Sequence, residues 1–204
     1  VFGTALAYLL GRRHLRLAAV LEIVIDLPTV LPPAVAGLAL LMAFGRRGLL
    51  GDTLAALGMQ VPFTTLAVVL AQTFVAAPLF IKSAAIGFSA IDCELKKSAA
   101  LDGANRWQTF RYIVIPMSWP SMLTGAMLTW ARALGEFGAT IIFAGNYPGR
   151  TQTMPSAIYV GFELDLTVAV TLSVILVVLS FIALIAVKWF VYHYIEPSNV
   201  EMFD

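Results

Sequence analysis

Four stretches of this 204-residue chain contain no charged residue: 27–45, 53–81, 112–131 and 166–187, or 19, 29, 20 and 22 positions. A helix needs about 20 predominantly apolar residues to cross the hydrocarbon core of a bilayer. None of the four shows the short apolar-polar alternation of a membrane barrel. In lipid the backbone must satisfy its own hydrogen bonds, so spans of this length are helices. Composition agrees. Only 12% of residues are charged, against about 25% in soluble domains, which leaves too few polar groups to cover a water-facing surface. The expected fold class is therefore all-α, a polytopic membrane protein, with residues 1–204 forming one transmembrane domain. Residues 1–10 are apolar but too few to span, and the chain opens on Val1. They are expected to be the end of a first helix whose upstream residues are missing. A signal peptide carries its charge before the apolar run, whereas Arg12, Arg13 and Arg16 follow it. With this partial segment the count of spans is five.

Lys and Arg orient them. Arg12, Arg13, Arg16, Lys82, Lys96, Lys97, Arg106, Arg111 and Lys188 fall on one side, and Arg46, Arg47, Arg132 and Arg150 on the other. The richer side is expected to be cytoplasmic, which puts the C-terminus inside. Several classes drop out. A net charge of +1 implies no nucleic-acid partner. Cys93 is alone, and no Cys/His cluster has metal-ligand spacing. His14 and His193 flank the apolar runs and read as ordinary interfacial residues. A membrane enzyme needs convergent His, Asp or Ser groups at the surface, and none is found.

The spans are not plain anchors. Pro28, Pro32 and Pro33 each remove a backbone donor, and broken helix in a membrane is tolerated where it is buried in protein or lines a cavity. Thr29, Thr140 and the backbone freed by these prolines are candidates for transient contact with a transported solute. The stretch through Arg132, Gly135, Glu136, Gly138 and Thr140 carries charge to the end of a span. Arg132 and Glu136 are four apart, hence on one helical face. An ionisable group at the bilayer centre is costly and faces the interior, so the pair either lines or gates a path or locks the helix as a structural ion pair. Gly3, Ala7 and Gly11 recur at four-residue spacing, which permits close helix approach. Arg46, Arg47 and Arg150 either steer an anion, contact an external partner, or belong to solvated loops.

The segment 89–111 lies between two spans. Asp92 is expected to cap a helix over Cys93–Leu101, with an Ala-rich face at Ser98, Ala99 and Ala100. Gly103 ends it in a left-handed conformation, and a second short helix starts near Asn105. A short helix with a small-residue face suits docking into a partner's groove; a solvated interfacial loop fits the composition equally well. The spacing adds to this reading. Gly103 is followed by nine residues and then Ile113, Val114, Ile115 and Pro116. This resembles the coupling signature of ATP-binding-cassette importer permeases: Glu-Ala-Ala, three residues, Gly, nine residues, Ile, one residue, Leu, Pro. Ala99 matches the second Ala, Lys97 and Ser98 stand where Glu and the first Ala are usual, and Glu94 lies one turn earlier.

A second resemblance narrows the family. The run from Arg132 through Leu134, Gly135, Glu136, Phe137, Gly138, Ala139 and Thr140 to Tyr159 is similar to molybdate and tungstate permeases, as are Asp26 to Gly37 and Gly45-Arg-Arg-Gly48. Sulfate permeases resemble it less well after Glu136. The likeness covers nearly the whole chain. It implies a type I importer permease fold with five or six transmembrane helices per subunit, translocating molybdate or tungstate by alternating access. It also implies a homodimer, two ATP-binding-cassette ATPase subunits below, and an external oxyanion-binding protein above. Asp92, Glu94, Lys97, Ser98, Ala99, Ala100, Asp102, Gly103 and Ala104 would couple to the ATPase. Thr29, Pro32, Pro33, Arg132, Gly135, Glu136, Gly138 and Thr140 would form the path or gate. The chain lacks a Gly-x-x-x-x-Gly-Lys-Ser/Thr loop, so it is expected to bind no cofactor or metal, with ATP and Mg on the partner ATPase. A sulfate permease is the alternative within the class. An ATP-independent channel or secondary transporter is the alternative outside it.

Overall fold

The computed structural model describes residues 2–11 and 16–195. Val1, the stretch Arg12, Arg13, His14 and Leu15, and the tail beyond Ile195 lie outside them. The described residues form eleven α-helices and no strand: α1 (Phe2–Leu10), α2 (Arg16–Val30), α3 (Pro33–Phe44), α4 (Gly51–Ala56), α5 (Thr65–Ser89), α6 (Cys93–Leu101), α7 (Arg106–Thr109), α8 (Ile115–Leu134), α9 (Gly138–Phe143), α10 (Met154–Leu164) and α11 (Leu166–Ile195). A π-helical turn, Phe110–Val114, joins α7 to α8.

The expected spans appear in altered form. Among the described residues α5 and the Leu166–Trp189 part of α11 are long and apolar enough to cross a membrane. A third span exists if Ala19–Val30 and Pro33–Phe44 are taken together, although they meet at a bend of 117°. The bounds of the spans differ from those expected from the sequence. The 53–81 stretch is two helices, α4 and α5, and α5 continues past Lys82 to Ser89. The prolines break the second span at Leu31 and Pro32, while Pro28 stays inside α2 and is buried. Pro33 opens α3, where its missing N–H costs nothing. The helix α8 is long enough but not apolar enough to pass on composition, since Ser118, Ser121, Thr124, Thr129 and Arg132 lie along it.

The chain forms two compact units. The first draws on residues 1–25, 77–129 and 184–204, the second on 26–76 and 130–183. In the first, α1 lies against the C-terminal half of α5 through its small-residue stripe. Ala7 is fully buried. A Cβ on Gly3 would stand 2.9 Å from the Phe80 ring, and one on Gly11 would stand 3.2 Å from Phe88 Cβ. The close approach expected from the four-residue spacing is thus realised against α5. The contact of α5 with α8 also runs through glycines: a Cβ on Gly87 would meet Ser121 at 2.7 Å, and one on Gly125 would meet Ser83 at 2.8 Å. The Ser83 hydroxyl donates to the Ser121 carbonyl across the same contact, at 2.7 Å.

In the second unit α3 and α9 pack backbone to backbone, around a core of Ala36, Leu40, Val61, Ala67, Ala71, Val75, Ala139 and Phe143. The α10–α11 corner is tight: Thr153 and Ser156 form a capping box at the start of α10. Asp165 Oδ1 accepts from the Thr167 and Val168 N–H groups at the start of α11, satisfying donors that a helix N-terminus leaves open.

Candidate functional site

Two constellations carry the candidate residues, one in each unit. In the first unit, α6 occupies Cys93–Leu101, the range expected from its sequence. Asp92 Oδ1 accepts from Glu94 N at 2.9 Å and caps it. At the other end Gly103 has φ +86°, the left-handed region that costs Gly nothing. Ala104 N–H donates to Ala99 O at 2.9 Å and Gly103 N–H to Ala100 O at 3.2 Å. These two bonds are the Schellman pair that closes a helix C-terminus. The next helix, α7, starts at once. Asn105 and Gln108 form a reciprocal capping box, with Asn105 Oδ1 accepting from Gln108 N and Gln108 Oε1 from Asn105 N. Asn-x-x-Gln is the capping-box spacing, a sequence signal for a helix start that the reading placed only approximately.

No residue of α6 or α7 is buried. Asp92, Glu94, Lys97, Ser98, Ala100, Asp102 and Gly103 are exposed, and Ala99 and Ala104 half-buried. Leu95, Leu101, Trp107 and Tyr112 are exposed as well. The roots of this hairpin are fixed instead. Ile91 before it and Val114 after it lie in the core of the first unit. Phe110 meets Tyr8 edge-on at 4.8 Å between ring centroids, and Tyr8 meets Phe88 at 5.8 Å. A short two-helix arm with an unburied surface and rigid roots is suited to receiving a push from a partner and passing it into α5 and α8.

The second constellation lies in the second unit. Arg132 Nη1 stands 2.9 Å from Glu136 Oε2, so the pair forms, but not on one continuous helix. The helix α8 ends at Leu134, and Gly135 to Phe137 are irregular before α9 begins. The pair therefore bridges a helix break. Glu136 is 1% exposed and Arg132 38%. Glu136 Oε1 also accepts from Ala139 N–H at 2.9 Å, at the start of α9. There the open N–H groups and the helix dipole favour a negative group. Sequence spacing pointed to the ion pair; the backbone bond to Ala139 had no signal in it.

Other candidates fall around the same break. A Cβ on Gly138 would stand 2.7 Å from Pro33 Cβ, so Gly138 lets α9 reach the start of α3. Gly135 has open space around it. Thr140 is buried, and its hydroxyl donates to the Phe137 carbonyl at 2.8 Å. Thr29 is exposed, with its hydroxyl on the Asp26 carbonyl at 2.7 Å. Pro32, at the bend, precedes α3 as its N-cap residue. Two residues absent from the sequence-based set belong here. Gly37 gives α3 its contact with Ala139, and the Gln72 side-chain amide donates to the Ala133 carbonyl at 3.2 Å. Neither has a motif that would single it out.

The apolar, all-helical fold of the described residues is that of type I importer permeases. Residues 3–198 match the family described as binding-protein-dependent transport system inner membrane component, and the chain belongs to that family. Among its relatives, the molybdenum transport system permease protein ModB of Mycobacterium tuberculosis is 41% identical over 92% of this chain and 71% of its own length. The molybdenum transport system permease protein ModB of Escherichia coli is 38% identical over 92% of this chain and 83% of its own. Among solved structures, the MetNI methionine ABC transporter in inward-facing form gives a TM-score of 0.66. It covers 94% of this chain and 85% of that one, at 18% identity.

Proposed function

We propose that this chain is the membrane-spanning permease of an ATP-driven importer that carries molybdate, or the closely similar tungstate, into the cell by alternating access. The observation that carries this reading is the 38–41% identity, over 92% of the chain, to permeases named for molybdenum transport. The chain itself is a permease subunit and not an enzyme. Two copies pair around one path, and residues 1–204 work as a single permease domain. Two ATPase subunits, holding ATP and Mg, dock on the cytoplasmic side, and a binding protein delivers the oxyanion from outside. The Lys and Arg distribution supports a cytoplasmic position for α6 and the C-terminus.

In this arrangement α6 is the coupling element. Asp92, Glu94, Lys97, Ser98, Ala99, Ala100, Asp102, Gly103 and Ala104 form or shape the surface that enters the ATPase. The break around Pro32, Pro33, Gly135, Glu136 and Gly138 belongs to the path or its gate. Glu136 acts there through Arg132 and Ala139 and not on cargo, because a carboxylate repels an oxyanion. Gly103→Pro removes both the left-handed turn and the N–H bonded to Ala100. It is expected to separate ATP hydrolysis from transport, with uptake lost and ATPase activity retained in the assembled complex. Normal coupled transport by this variant would refute the assignment of α6. The reading as a whole is tested by uptake into sealed vesicles holding this chain with its ATPase and binding protein. ATP-dependent uptake of molybdate or tungstate but not sulfate is expected. Preference for sulfate would replace the substrate, and uptake without ATP would replace the mechanism with a channel or carrier.

A further inference from the structure

Arg46 and Arg150, far apart in the chain, line one cavity of about 570 Å³ in the second unit, together with Gln60, Phe63 and Thr64. No carboxylate is among the lining residues. Two guanidiniums without a counter-charge form a local excess of positive potential. The N-terminal end of α5 adds to it. Thr64 lines the cavity and caps that helix, with Thr64 Oγ1 accepting from Ala67 N at 3.3 Å. A 25-residue helix presents open N–H groups and the positive end of its dipole there.

Both arginines are exposed, and the backbone beside each is fixed by close contacts and hydrogen bonds. Arg46 follows Gly45, the buried end of α3, where a Cβ would collide with Leu41 O. Arg150 sits in a turn in which its own N–H and those of Thr151 and Gln152 all donate to Tyr147 O. The Thr65 hydroxyl donates to the Arg150 carbonyl at 3.1 Å and ties that turn to α5. Phe63, in the same wall, has φ +61°. That conformation is strained for an aromatic residue and persists only where the surroundings impose it. Its N–H donates to Phe143 O at 3.2 Å, and its ring meets Tyr147 edge-on at 6.4 Å.

We infer that this cavity is a low-affinity binding site for a small tetrahedral oxyanion, with Arg46 and Arg150 as its anion ligands. Guanidinium forks match the oxygen edges of such anions. The cavity is far larger than one anion, so the ligand keeps part of its water and binds loosely, as a transport path requires. Nothing in so wide a cavity measures anion radius. Molybdate, tungstate and sulfate therefore bind it alike, and discrimination among them lies elsewhere. The inference rests on the proposed function only for the identity of the anion.

The test is equilibrium dialysis of tungstate, molybdate and sulfate against the full chain in phosphatidylcholine nanodiscs, with bound anion quantified directly. Weak, salt-sensitive binding of all three is expected. Arg46→Gln and Arg150→Gln are each expected to weaken it by about ten-fold. Arg46→Lys and Arg150→Lys should retain part of it, and Arg111→Gln, in the first unit, should not alter it. Unchanged melting temperatures would show that the variants fold. Binding that survives in the double Gln variant, or no tungstate binding by the unaltered chain, overturns the site. So does Arg46- and Arg150-dependent retention of phosphatidylglycerol in native mass spectra without any free-anion binding, which assigns the cavity to a lipid headgroup. The two readings fail separately. Arginine-dependent anion binding without molybdate uptake supports the site while refuting the substrate. Normal molybdate uptake with arginine-independent binding overturns the site and leaves the substrate standing.

Discussion

Arg132→Ala is expected to destabilise the protein by about 3 kcal/mol, the low end of the range for leaving a buried charge without its partner, since Arg132 itself is only partly buried. The reason is the asymmetry of the pair. Glu136 is 1% exposed, so without the guanidinium at 2.9 Å its carboxylate keeps the Ala139 N–H as a partner but no counter-ion. The reverse change is milder. Glu136→Gln keeps an oxygen for Ala139 N–H, and the Arg132 side chain, 38% exposed, can turn to water. A loss of about 1–2 kcal/mol is expected, the scale of one charge-assisted hydrogen bond. The double variant Arg132→Ala/Glu136→Gln should then lose less than the sum of the two, with a coupling of about 1–3 kcal/mol. Denaturation of the three purified variants in detergent measures this cycle. Strict additivity would mean that the 2.9 Å contact carries no energy in the protein.

Gly37→Val is the second large effect, a loss of about 3 kcal/mol or more, at the upper end for overpacking. A Cβ at Gly37 would stand 2.7 Å from Ala139 O, 2.9 Å from Ala139 Cα and 3.0 Å from Ile142 Cβ. Two of these three atoms are backbone, so relief requires α3 and α9 to part and cannot come from a rotamer change. Separating them also disturbs the neighbouring Glu136–Ala139 bond. Gly135→Ala is the control: nothing stands within 4 Å of its Cβ position. Its stability is expected within about 0.5 kcal/mol of the unaltered protein. Equal losses at Gly37 and Gly135 would show that the α3–α9 contact does not set the cost.

Sequence reading reached the class and much of the local chemistry because both rest on short-range physics. Uncharged runs report the solvent, and Asp92 and Gly103 announce the two ends of α6 by their own side-chain and backbone preferences. The Gly3, Ala7 and Gly11 stripe announces a close neighbour without naming it; that α5 is the neighbour is a tertiary fact. The misreadings have the same origin. Proline content predicted a break, yet Pro28 stays inside α2 and the chain turns at Leu31 and Pro32, because a helix can carry one missing N–H where packing compensates. Spacing placed Arg132 and Glu136 together correctly, but on a helix that has already ended. The Ala139 N–H that holds Glu136 and the approach of Arg46 to Arg150 depend on the folded path of the chain, which neither spacing nor composition encodes.

Ten of the nineteen buried apolar residues among those described are alanines. Their positions, with the glycines at helix contacts, are filled to the backbone. Burial here is thus limited from above by volume, while most large apolar side chains, such as those along α11, face outward. A saturation-mutagenesis map of this protein should look inverted beside that of a water-soluble domain. Interior sites now held by glycine or alanine would accept only residues of about that size. Outer sites would accept any greasy side chain, whatever its shape. Aligned relatives are accordingly expected to vary most at the outward-facing side chains and least at the glycines and alanines where helices touch.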